Sequence, residues 1–165
     1  MELLPYNSQW KKTFLDERKR LEGVLGRDCL DVQHIGSTAI PGILSKPVID
    51  IAVLIPSLSN AHQYVVLLEG LGYTYFPERS SVERLFLTKG NPPQFHLSLA
   101  QQEKFSFWKR QILFRDYLLA HPNQAKEYEI LKEKLLDKHS DAGQLYSDGK
   151  SDFVNNILSL AEKNK

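Results

Sequence analysis

The sequence predicts an α/β fold with a helical C-terminal part. Residues 47–55 form a β-branched apolar run that starts with proline, which is typical of a buried strand. Shorter strand-like segments occur on either side of it, whereas helical spacing of apolar residues takes over from Glu103 onward. No Pro/Gly/Ser-rich linker separates the two parts. We therefore expect one domain over residues 1–165, with an α/β core at 1–100 and helices at 101–165.

Two helices and five strands are predicted within the first hundred residues. The first helix spans residues 8–25, where Ser8 is a suitable N-cap and apolar side chains recur at helical spacing. The second spans residues 58–71 and is closed by Gly70 and Gly72. The strands are predicted at residues 31–35, 47–55, 73–76, 84–88 and 94–99. We expect the second strand to be central, because it is apolar on both faces.

Three helices are predicted in the C-terminal part, at about residues 103–120, 122–139 and 147–161. The dipeptide His121-Pro122 separates the first two, with proline well placed to start a helix. The expected core positions of the first of these helices are Phe105, Trp108, Ile112, Phe114 and Leu118. Between residues 126 and 138, Lys alternates with Glu and Asp, which predicts a solvated helix face supported by i,i+4 pairs and without a functional role.

Composition and charge disfavour several classes of function. The net charge is +1 and no basic stripe accompanies the aromatic side chains, so there is no strong signal for nucleic-acid binding. No stretch approaches the roughly 18 uninterrupted apolar residues of a membrane span, and Met1 does not open a signal-peptide pattern. Cys29 is the single cysteine, which excludes an intrachain disulfide and a cysteine-based zinc cluster. We expect a cytoplasmic protein that does not act in a membrane.

The run Gly36-Ser37-Thr38, followed by Asp50 in the next strand, is the strongest candidate for a site. Glycine lets the backbone approach a ligand closely, and a serine or a helix N-terminus can donate hydrogen bonds to phosphate. A tight turn with an N-capping hydroxyl is the alternative for this run. An isolated carboxylate on a strand built for burial is costly unless it is paired, hydrogen-bonded or metal-bound. Asp50 is therefore either a site residue or a structural acceptor for backbone N–H groups or for Lys46.

This arrangement resembles the site of polymerase-β-like nucleotidyltransferases. Those enzymes hold a nucleoside triphosphate and its metal between a Gly-Ser turn and carboxylates on the next strand. Position 52, where the second metal-holding carboxylate of those enzymes stands, is Ala52 here, and it shares the face of Asp50 because side chains alternate along a strand. A two-carboxylate metal clamp cannot form from these positions, which counts against efficient two-metal catalysis.

Further side chains are candidates for the same site. Lys46 is a point charge suited to a phosphate, or else a solvated lysine or a partner for Asp50. Arg84 and His96 occur on strands that we expect beside the Asp50 strand. There Arg84 would bind phosphate and His96 would act as a base or a metal ligand, although a lone histidine is more often structural. His34, just before the turn, has the same two interpretations.

Arg115 is also a candidate for phosphate binding. It lies with Asp116 on a predicted helix, where adjacent side chains point in different directions. We therefore expect the two not to point at each other, with one facing the cleft while the other caps or pairs.

Residues 34–51 resemble the signature of GrpB-like proteins, a group within the nucleotidyltransferase superfamily. The resemblance continues through residues 84–90, 95–97 and 114–122 and at Tyr6, Trp10, Ala125, Tyr128, Leu131, Lys132, Tyr146, Lys150 and Phe153. It implies a nucleotidyltransferase-like mixed sheet flanked by helices, with a pocket around the Gly-Ser turn and Asp50. Some members of the group are fused to dephospho-CoA kinase, an association with nucleotide or CoA chemistry. Ser98 stands where the family often has a second histidine, which puts any His-x-His role in doubt.

The expected function is the binding of a nucleotide or another phosphate-bearing small molecule between the Gly36-Ser37 turn and Asp50. In an enzyme of this kind, Mg²⁺ held by Asp50 and the triphosphate would polarise the α-phosphate while a hydroxyl of an unknown acceptor attacks it. The alternative is a non-catalytic nucleotide-binding module or a protein-interaction module on the same fold.

Overall fold

The protein is described here from a computed structural model that covers residues 2–102, 106–139 and 143–164. Its centre is a five-stranded sheet with the order β1-β2-β5-β4-β3. The strands are β1 (Asp31–Ile35), β2 (Ile49–Ile55), β3 (Tyr73–Tyr75), β4 (Arg84–Lys89) and β5 (Phe95–Gln101). β2 and β5 run parallel, whereas the other neighbouring pairs are antiparallel. The expected mixed sheet flanked by helices is confirmed.

Six α-helices are formed by the described residues. They are α1 (Gln9–Leu25), α2 (Ala61–Glu69), α3 (Ser106–Ala120), α4 (Pro122–Lys138), α5 (Gln144–Gly149) and α6 (Ser151–Lys163). Short 3-10 turns occupy Gly26–Asp28, Ser37–Ala39 and Pro77–Arg79. No helix in the described parts of the chain is long and apolar enough to cross a membrane.

The two faces of the sheet are covered by different helices, as the alternation of side chains along a strand requires. On β2, the side chains of Ile49, Ile51, Val53 and Ile55 pack with Trp10, Phe14 and Leu21 of α1 and with Tyr64 and Leu68 of α2. Ala52 and Leu54 point the other way and pack with Phe107 and Trp108 of α3. β2 is therefore apolar on both faces, and it is an interior strand, although the middle position of the sheet belongs to β5.

A third apolar cluster fixes the segment after β1 to the C-terminal helices. Ile40 and Ile43 of this segment are buried against Leu118 of α3, Tyr128 of α4 and Ile157 of α6. Because Ser37 and Lys46 lie at the two ends of the segment, this packing sets where both side chains lie relative to the helices.

Several predicted boundaries differ from the structure. The helix expected at 58–71 is shorter, and the one expected at 147–161 is two helices that meet at Lys150. A Cβ at Gly149 would overlap the Leu135 side chain, so a larger residue at this point of α5 would require Leu135 of α4 to move. Trp108 and Leu118 are buried as expected, whereas Phe105 lies outside the described residues.

A buried carboxylate, Glu17 of α1, joins this helix to the sheet. Its side chain is fully buried and accepts hydrogen bonds from Tyr73 Oη at 2.9 Å and Lys89 Nζ at 2.8 Å. Arg20 Nη1 lies 3.0 Å from its second oxygen. Burial alone would raise the pKa of Glu17, but the hydrogen bonds from Lys89, Tyr73 and Arg20 lower it below the ordinary value.

We predict that Glu17→Gln destabilises the protein at pH 7 by roughly 2–4 kcal/mol, because it leaves Lys89 without its buried partner. Because the pKa of Glu17 is lowered in the fold, its charge contributes fully to stability above the unfolded value of about 4.5, and this contribution is lost as pH falls through the lower folded-state pKa. The difference between wild type and variant should therefore shrink in acid. Urea unfolding at several pH values measures both effects. The matched control is Asp16→Asn. Asp16 precedes Glu17 in the chain, but its carboxylate lies at the surface and pairs with Lys12. Equal effects of the two substitutions would contradict the prediction.

Candidate functional site

The backbone of the Gly36 turn lies directly against the carboxylate of Asp50. The last residue of β1, Ile35, pairs with Asp50 of β2, so the turn that follows passes over this side chain. Gly36 has φ 72° and ψ −173°, a conformation that is essentially limited to glycine. A Cβ at this position would overlap Asp50 Oδ2. Glycine is therefore required here for two reasons, its backbone conformation and the closeness of the carboxylate.

Asp50 is half-buried and faces His96. The two residues are opposite each other in the parallel pairing of β2 and β5, and Asp50 Oδ1 lies 3.5 Å from His96 Nδ1. Among the described residues, no backbone N–H donates a hydrogen bond to this carboxylate and no lysine lies within 4.0 Å of it. In the described part of the chain, no contact therefore supports a structural role of Asp50 as an acceptor for backbone N–H groups or as a partner of Lys46.

Ala52 lies on the same face of the sheet as Asp50, but in an apolar environment. It is completely buried and packs with Ile35, Leu54, Ala100 and the α3 aromatic residues. Ser98 is its partner on β5, also buried. A carboxylate at position 52 would lie under α3 with apolar neighbours, so the structure gives a packing reason for the alanine.

The expectation of a solvated face over residues 126–138 is wrong for two of its charged residues. Glu129 and Lys132 are each 3% exposed. They share one face of α4 with the buried Ala125 and Tyr128, because positions 125, 128, 129 and 132 are three or four residues apart. That spacing is present in the sequence and was the available signal. Because Ala125 and Tyr128 pack inward, Glu129 and Lys132 on the same face of the helix are buried as well.

Lys132 reaches the Gly-Ser turn from α4. Its Nζ donates hydrogen bonds to Ser37 Oγ at 2.8 Å and to the Leu44 carbonyl at 2.6 Å. Glu129 accepts a hydrogen bond from the backbone N–H of Leu44 and pairs with Lys126. The α4 helix therefore holds the segment between β1 and β2 at two points and places an ammonium group on the turn.

Two further lysines lie beside Lys132. The Nζ atoms of Lys46 and Lys150 are 4.9 Å and 4.7 Å from the centre of the Tyr146 ring. Tyr146 is completely buried, and its hydroxyl has no hydrogen-bond partner among the described residues. Lys46 precedes β2, whereas Lys150 lies between α5 and α6. We call Lys46, Lys132 and Lys150 the lysine cluster.

The lysine cluster carries positive charge that its surroundings do not balance. Burial, and next the charge of Lys150, lower the pKa of Lys132 to about 7. Burial, and next the charge of Lys46, lower the pKa of Lys150 to about 8. Burial also lowers the pKa of Lys46. Glu129 and then Asp50 oppose the shift of Lys132, and Asp50 also opposes those of Lys46 and Lys150. Within the described residues, however, no carboxylate lies within 4.0 Å of any of these three Nζ atoms.

His34, Thr38 and Arg115 lie together behind the turn. The Nε2 atom of His34 is 2.8 Å from Thr38 Oγ1, and its ring stacks on Phe14. Burial lowers the pKa of His34 to about 4, so the ring is neutral at pH 7. Arg115 donates to Gln33 Oε1 at 2.7 Å and to the His34 carbonyl at 2.9 Å. These contacts join α3 to β1 and support the turn. The predicted ligand-binding roles of Thr38 and Arg115 stay predictions.

The expectation that Arg115 and Asp116 do not point at each other is wrong. The Nε and Nη2 atoms of Arg115 each lie 2.9 Å from Asp116 Oδ1. The flexible arginine side chain folds back far enough to reach its neighbour, although their Cβ atoms diverge on the helix.

Asp50 offers one carboxylate to a metal ion, which would need its remaining ligands from a bound phosphate and water. No group of three or more His, Cys, Asp or Glu side chains converges in the described part of the chain. Mg²⁺ is commonly held by one or two carboxylates together with phosphate oxygens and waters. Asp50, which is partly exposed, provides one such carboxylate.

We predict that Gly36→Ala destabilises the fold more than Gly26→Ala does. Gly26 has φ 61° and ψ −138°, close to the conformation of Gly36, but a Cβ there would meet no atom within 4 Å. Both substitutions should cost about 1–3 kcal/mol of backbone strain. Only Gly36→Ala must also displace Asp50. Urea unfolding measures the two free energies, and equal losses would show that the contact with Asp50 is unimportant for stability.

We predict that Lys132→Met changes the pH dependence of stability in the ligand-free protein. The pKa of Lys132 is about 7 in the fold and 10.5 ordinarily. Between these values the unfolded chain binds a proton that the folded chain lacks, so this group makes stability rise with pH. The free energy of unfolding of wild type minus that of the variant should therefore increase from pH 7 to pH 10. Lys134→Met, an exposed position on the same helix, should show no such trend. If the free energies of unfolding of wild type and Lys132→Met change equally with pH, the prediction is wrong.

Comparison with known proteins agrees with this architecture. The family described as GrpB protein matches residues 1–160. The UPF0157 protein YqkA of Bacillus subtilis is 36% identical over 155 residues, which cover 93% of this chain and 45% of YqkA. The chain therefore spans less than half the length of that relative. A more distant structural neighbour is the Cid1 poly(U) polymerase bound to MgATP, with a TM-score of 0.46 and 16% identity over 79% of this chain and 45% of that chain. A likeness of this size supports no inference about the present site.

The crystal structure of the conserved protein GrpB from Enterococcus faecalis has the same fold. It superposes with a TM-score of 0.89 at 30% identity and covers 99% of this chain and 98% of that chain. With the family match over almost the whole sequence, this shows that the chain belongs to the GrpB family.

Proposed function

We propose that the protein binds a nucleotide, or another phosphate-bearing small molecule, between the Gly36-Ser37 turn, Asp50 and the lysine cluster. The observation that carries the proposal is the unbalanced charge of this cluster. Three desolvated lysine side chains lie together, and the described residues offer no carboxylate within 4.0 Å of their Nζ atoms. Bringing such charges together is costly, and a phosphate group would offset that cost by accepting hydrogen bonds from them.

The polar groups of the cluster are arranged to meet an anion from several sides. Lys132 already holds Ser37 Oγ, so both groups belong to one hydrogen-bonded unit at the turn. Lys46 and Lys150 lie over the ring of Tyr146, whose buried hydroxyl has no hydrogen-bond partner among the described residues. Lysines bind phosphate as point charges and do not require the planar geometry of arginine.

Nucleotidyl transfer is the reaction that this arrangement favours. A hydroxyl oxygen of the acceptor would attack the α-phosphorus, forming a new P–O bond while the bond to pyrophosphate breaks. His96, which lies beside Asp50, would accept the hydroxyl proton. The lysine cluster would stabilise the negative charge that develops on the departing pyrophosphate. When bound by Asp50 and phosphate oxygens, Mg²⁺ would neutralise part of the same charge.

Binding without transfer is the second candidate, and Ala52 is the observation that favours it. Position 52 is buried in an apolar cluster. A small apolar side chain therefore stands where two-metal catalysis would use a second carboxylate. The same pocket would then act as a sensor or carrier of the phosphate-bearing molecule.

We predict that Lys132→Met weakens nucleotide binding by roughly 10- to 100-fold, because hydrogen bonds to charged groups contribute about 1.5–3 kcal/mol. Thermal unfolding with ATP, CoA precursors and pyrophosphate, each with and without Mg²⁺, measures the effect. A ligand at about 100 times its Kd stabilises the wild type by about 2.7 kcal/mol. Lys134→Met on the exposed face of α4 should keep the full shift.

The two candidates differ in turnover. Release of pyrophosphate from a bound nucleoside triphosphate, lost in Asp50→Asn, supports transfer, whereas binding that depends on Lys132 without any release supports the second candidate. If none of these compounds raises the unfolding midpoint of the wild type, the proposed function is wrong.

A further inference from the structure

Arg84, the first residue of β4, is a half-buried cation whose side chain donates no hydrogen bond to the residues that the structure describes. Its Nη1 atom is buried and has no partner among those residues. In the described residues, no carboxylate lies within 4.0 Å of the guanidinium group, and none of its N–H groups donates a hydrogen bond. A guanidinium group has five donors in a planar fork. Leaving a buried donor of this kind unpaired is costly, so the structure has a reason to bind an acceptor here.

Aromatic rings hold this guanidinium in place without satisfying its donors. The Cζ atom of Arg84 lies 4.9 Å from the centre of the Phe86 ring and 5.5 Å from that of Phe107. A second guanidinium, that of Arg79, lies over the same Phe86 ring at 4.0 Å. Cation–π contacts of this kind orient an arginine and leave its N–H edge available. We call Arg79 and Arg84 the arginine pair.

The arginine pair brings like charges together, as the lysine cluster does. Burial, and next the charge of Arg79, lower the pKa of Arg84, whereas Asp50 raises it. The influence of Asp50 shows that the guanidinium belongs to the same electrostatic environment as the candidate site. Phe86 also makes an edge-to-face contact with the ring of His96, at a centroid distance of 5.2 Å. The pair is therefore connected directly to the Asp50–His96 pair.

The arginine pair and the lysine cluster approach Asp50 and His96 from opposite directions across the sheet. Ser37, which holds Lys132, follows β1, whereas Arg84 begins β4, and β2 and β5 lie between them. Along the strand direction, Arg84 is paired with Ala100, four residues beyond His96 on β5. Four residues of a strand span about 13 Å. The backbone of Arg84 is therefore distant from the Asp50–His96 pair, but its guanidinium lies over the Phe86 ring that contacts His96, and the charge of Arg79 lowers the pKa of Lys46 in the lysine cluster.

We infer that the arginine pair forms a second anion-binding subsite beside the lysine cluster and binds a phosphate or carboxylate group of the acceptor. This inference rests on the proposed function, because the lysine cluster is taken to bind the nucleotide phosphates. The acceptor is then a small anionic molecule that carries a hydroxyl group. Its anionic group pairs with Arg84 in the forked geometry that guanidinium and phosphate or carboxylate share, and its hydroxyl lies towards His96.

Isothermal titration calorimetry on the full chain tests this. The protein is first saturated with pyrophosphate, which probes the lysine cluster, and is then titrated with inorganic phosphate or, in a parallel experiment, with acetate. We expect one further anion to bind the wild type, at least tenfold more weakly in Arg84→Met, with partial retention in Arg84→Lys. Lys132→Met should weaken pyrophosphate binding and leave the second event in place. Arg27→Met, at an exposed position outside the site, is the matched control.

The outcomes separate this inference from the proposed function. Circular dichroism checks folding, and Arg79→Met provides a second route if Arg84→Met does not fold. Two results would overturn the inference alone: no second anion in a wild type that binds pyrophosphate, or a second event that is unchanged in the arginine variants. Weakening of pyrophosphate binding itself in Arg84→Met would also overturn it, because Arg84 would then serve the nucleotide. A further result is that pyrophosphate does not bind, whereas phosphate binds in a way that depends on Arg84. This result would support an anion site at the arginine pair, but it would contradict both the proposed function and the role of that site in binding the acceptor.

Discussion

The close approach of the Gly36 backbone to the Asp50 carboxylate is the constraint on which the candidate site depends. It follows from the pairing of Ile35 with Asp50, which carries the chain leaving β1 across the carboxylate. Any side chain at position 36 would push the two strands or the carboxylate apart. From there the chain enters the turn that presents Ser37 to Lys132, and the buried Ile40 and Ile43 fix the following segment to the helices.

Electrostatic imbalance is the second property of the site. Asp50, which is partly exposed, raises the pKa values of all three lysines of the cluster and of Arg84, and Glu129 also raises that of Lys132. Elsewhere in the protein a buried charge has close partners, as Glu17 has in Lys89, Arg20 and Tyr73. Buried charges in this protein are therefore of two kinds. Glu17 is satisfied within the fold, whereas the cations around Asp50 are arranged for an anion from outside it.

The sheet and the C-terminal helices contribute different halves of the site. The strands place Asp50, His96 and Arg84, whose spacing is fixed by strand register. Lys132 comes from α4, and Lys150 comes from the junction of α5 and α6. The helices thus do more than cover the sheet, because they bring ammonium groups to a turn that lies far away in sequence. The segment between β1 and β2 links the halves, since it contacts both.

The order and type of most elements and the shared face of Asp50 and Ala52 could be predicted from the sequence, because local spacing along a strand or helix sets these properties. The family could be predicted from the motifs that the chain shares with it. Which charged residues are buried became clear from the packing of the folded chain. Lys132 lies in a mixed-charge run that is typical of a solvated surface, and its inward direction follows from the packing of Ala125 and Tyr128 against other elements. The register of β4 and β5 likewise places the backbone of Arg84 four residues along the sheet from His96, although its guanidinium lies over the Phe86 ring that contacts His96. The physical reason is that the desolvation and pairing of a charge depend on residues distant in the chain, which local periodicity does not specify.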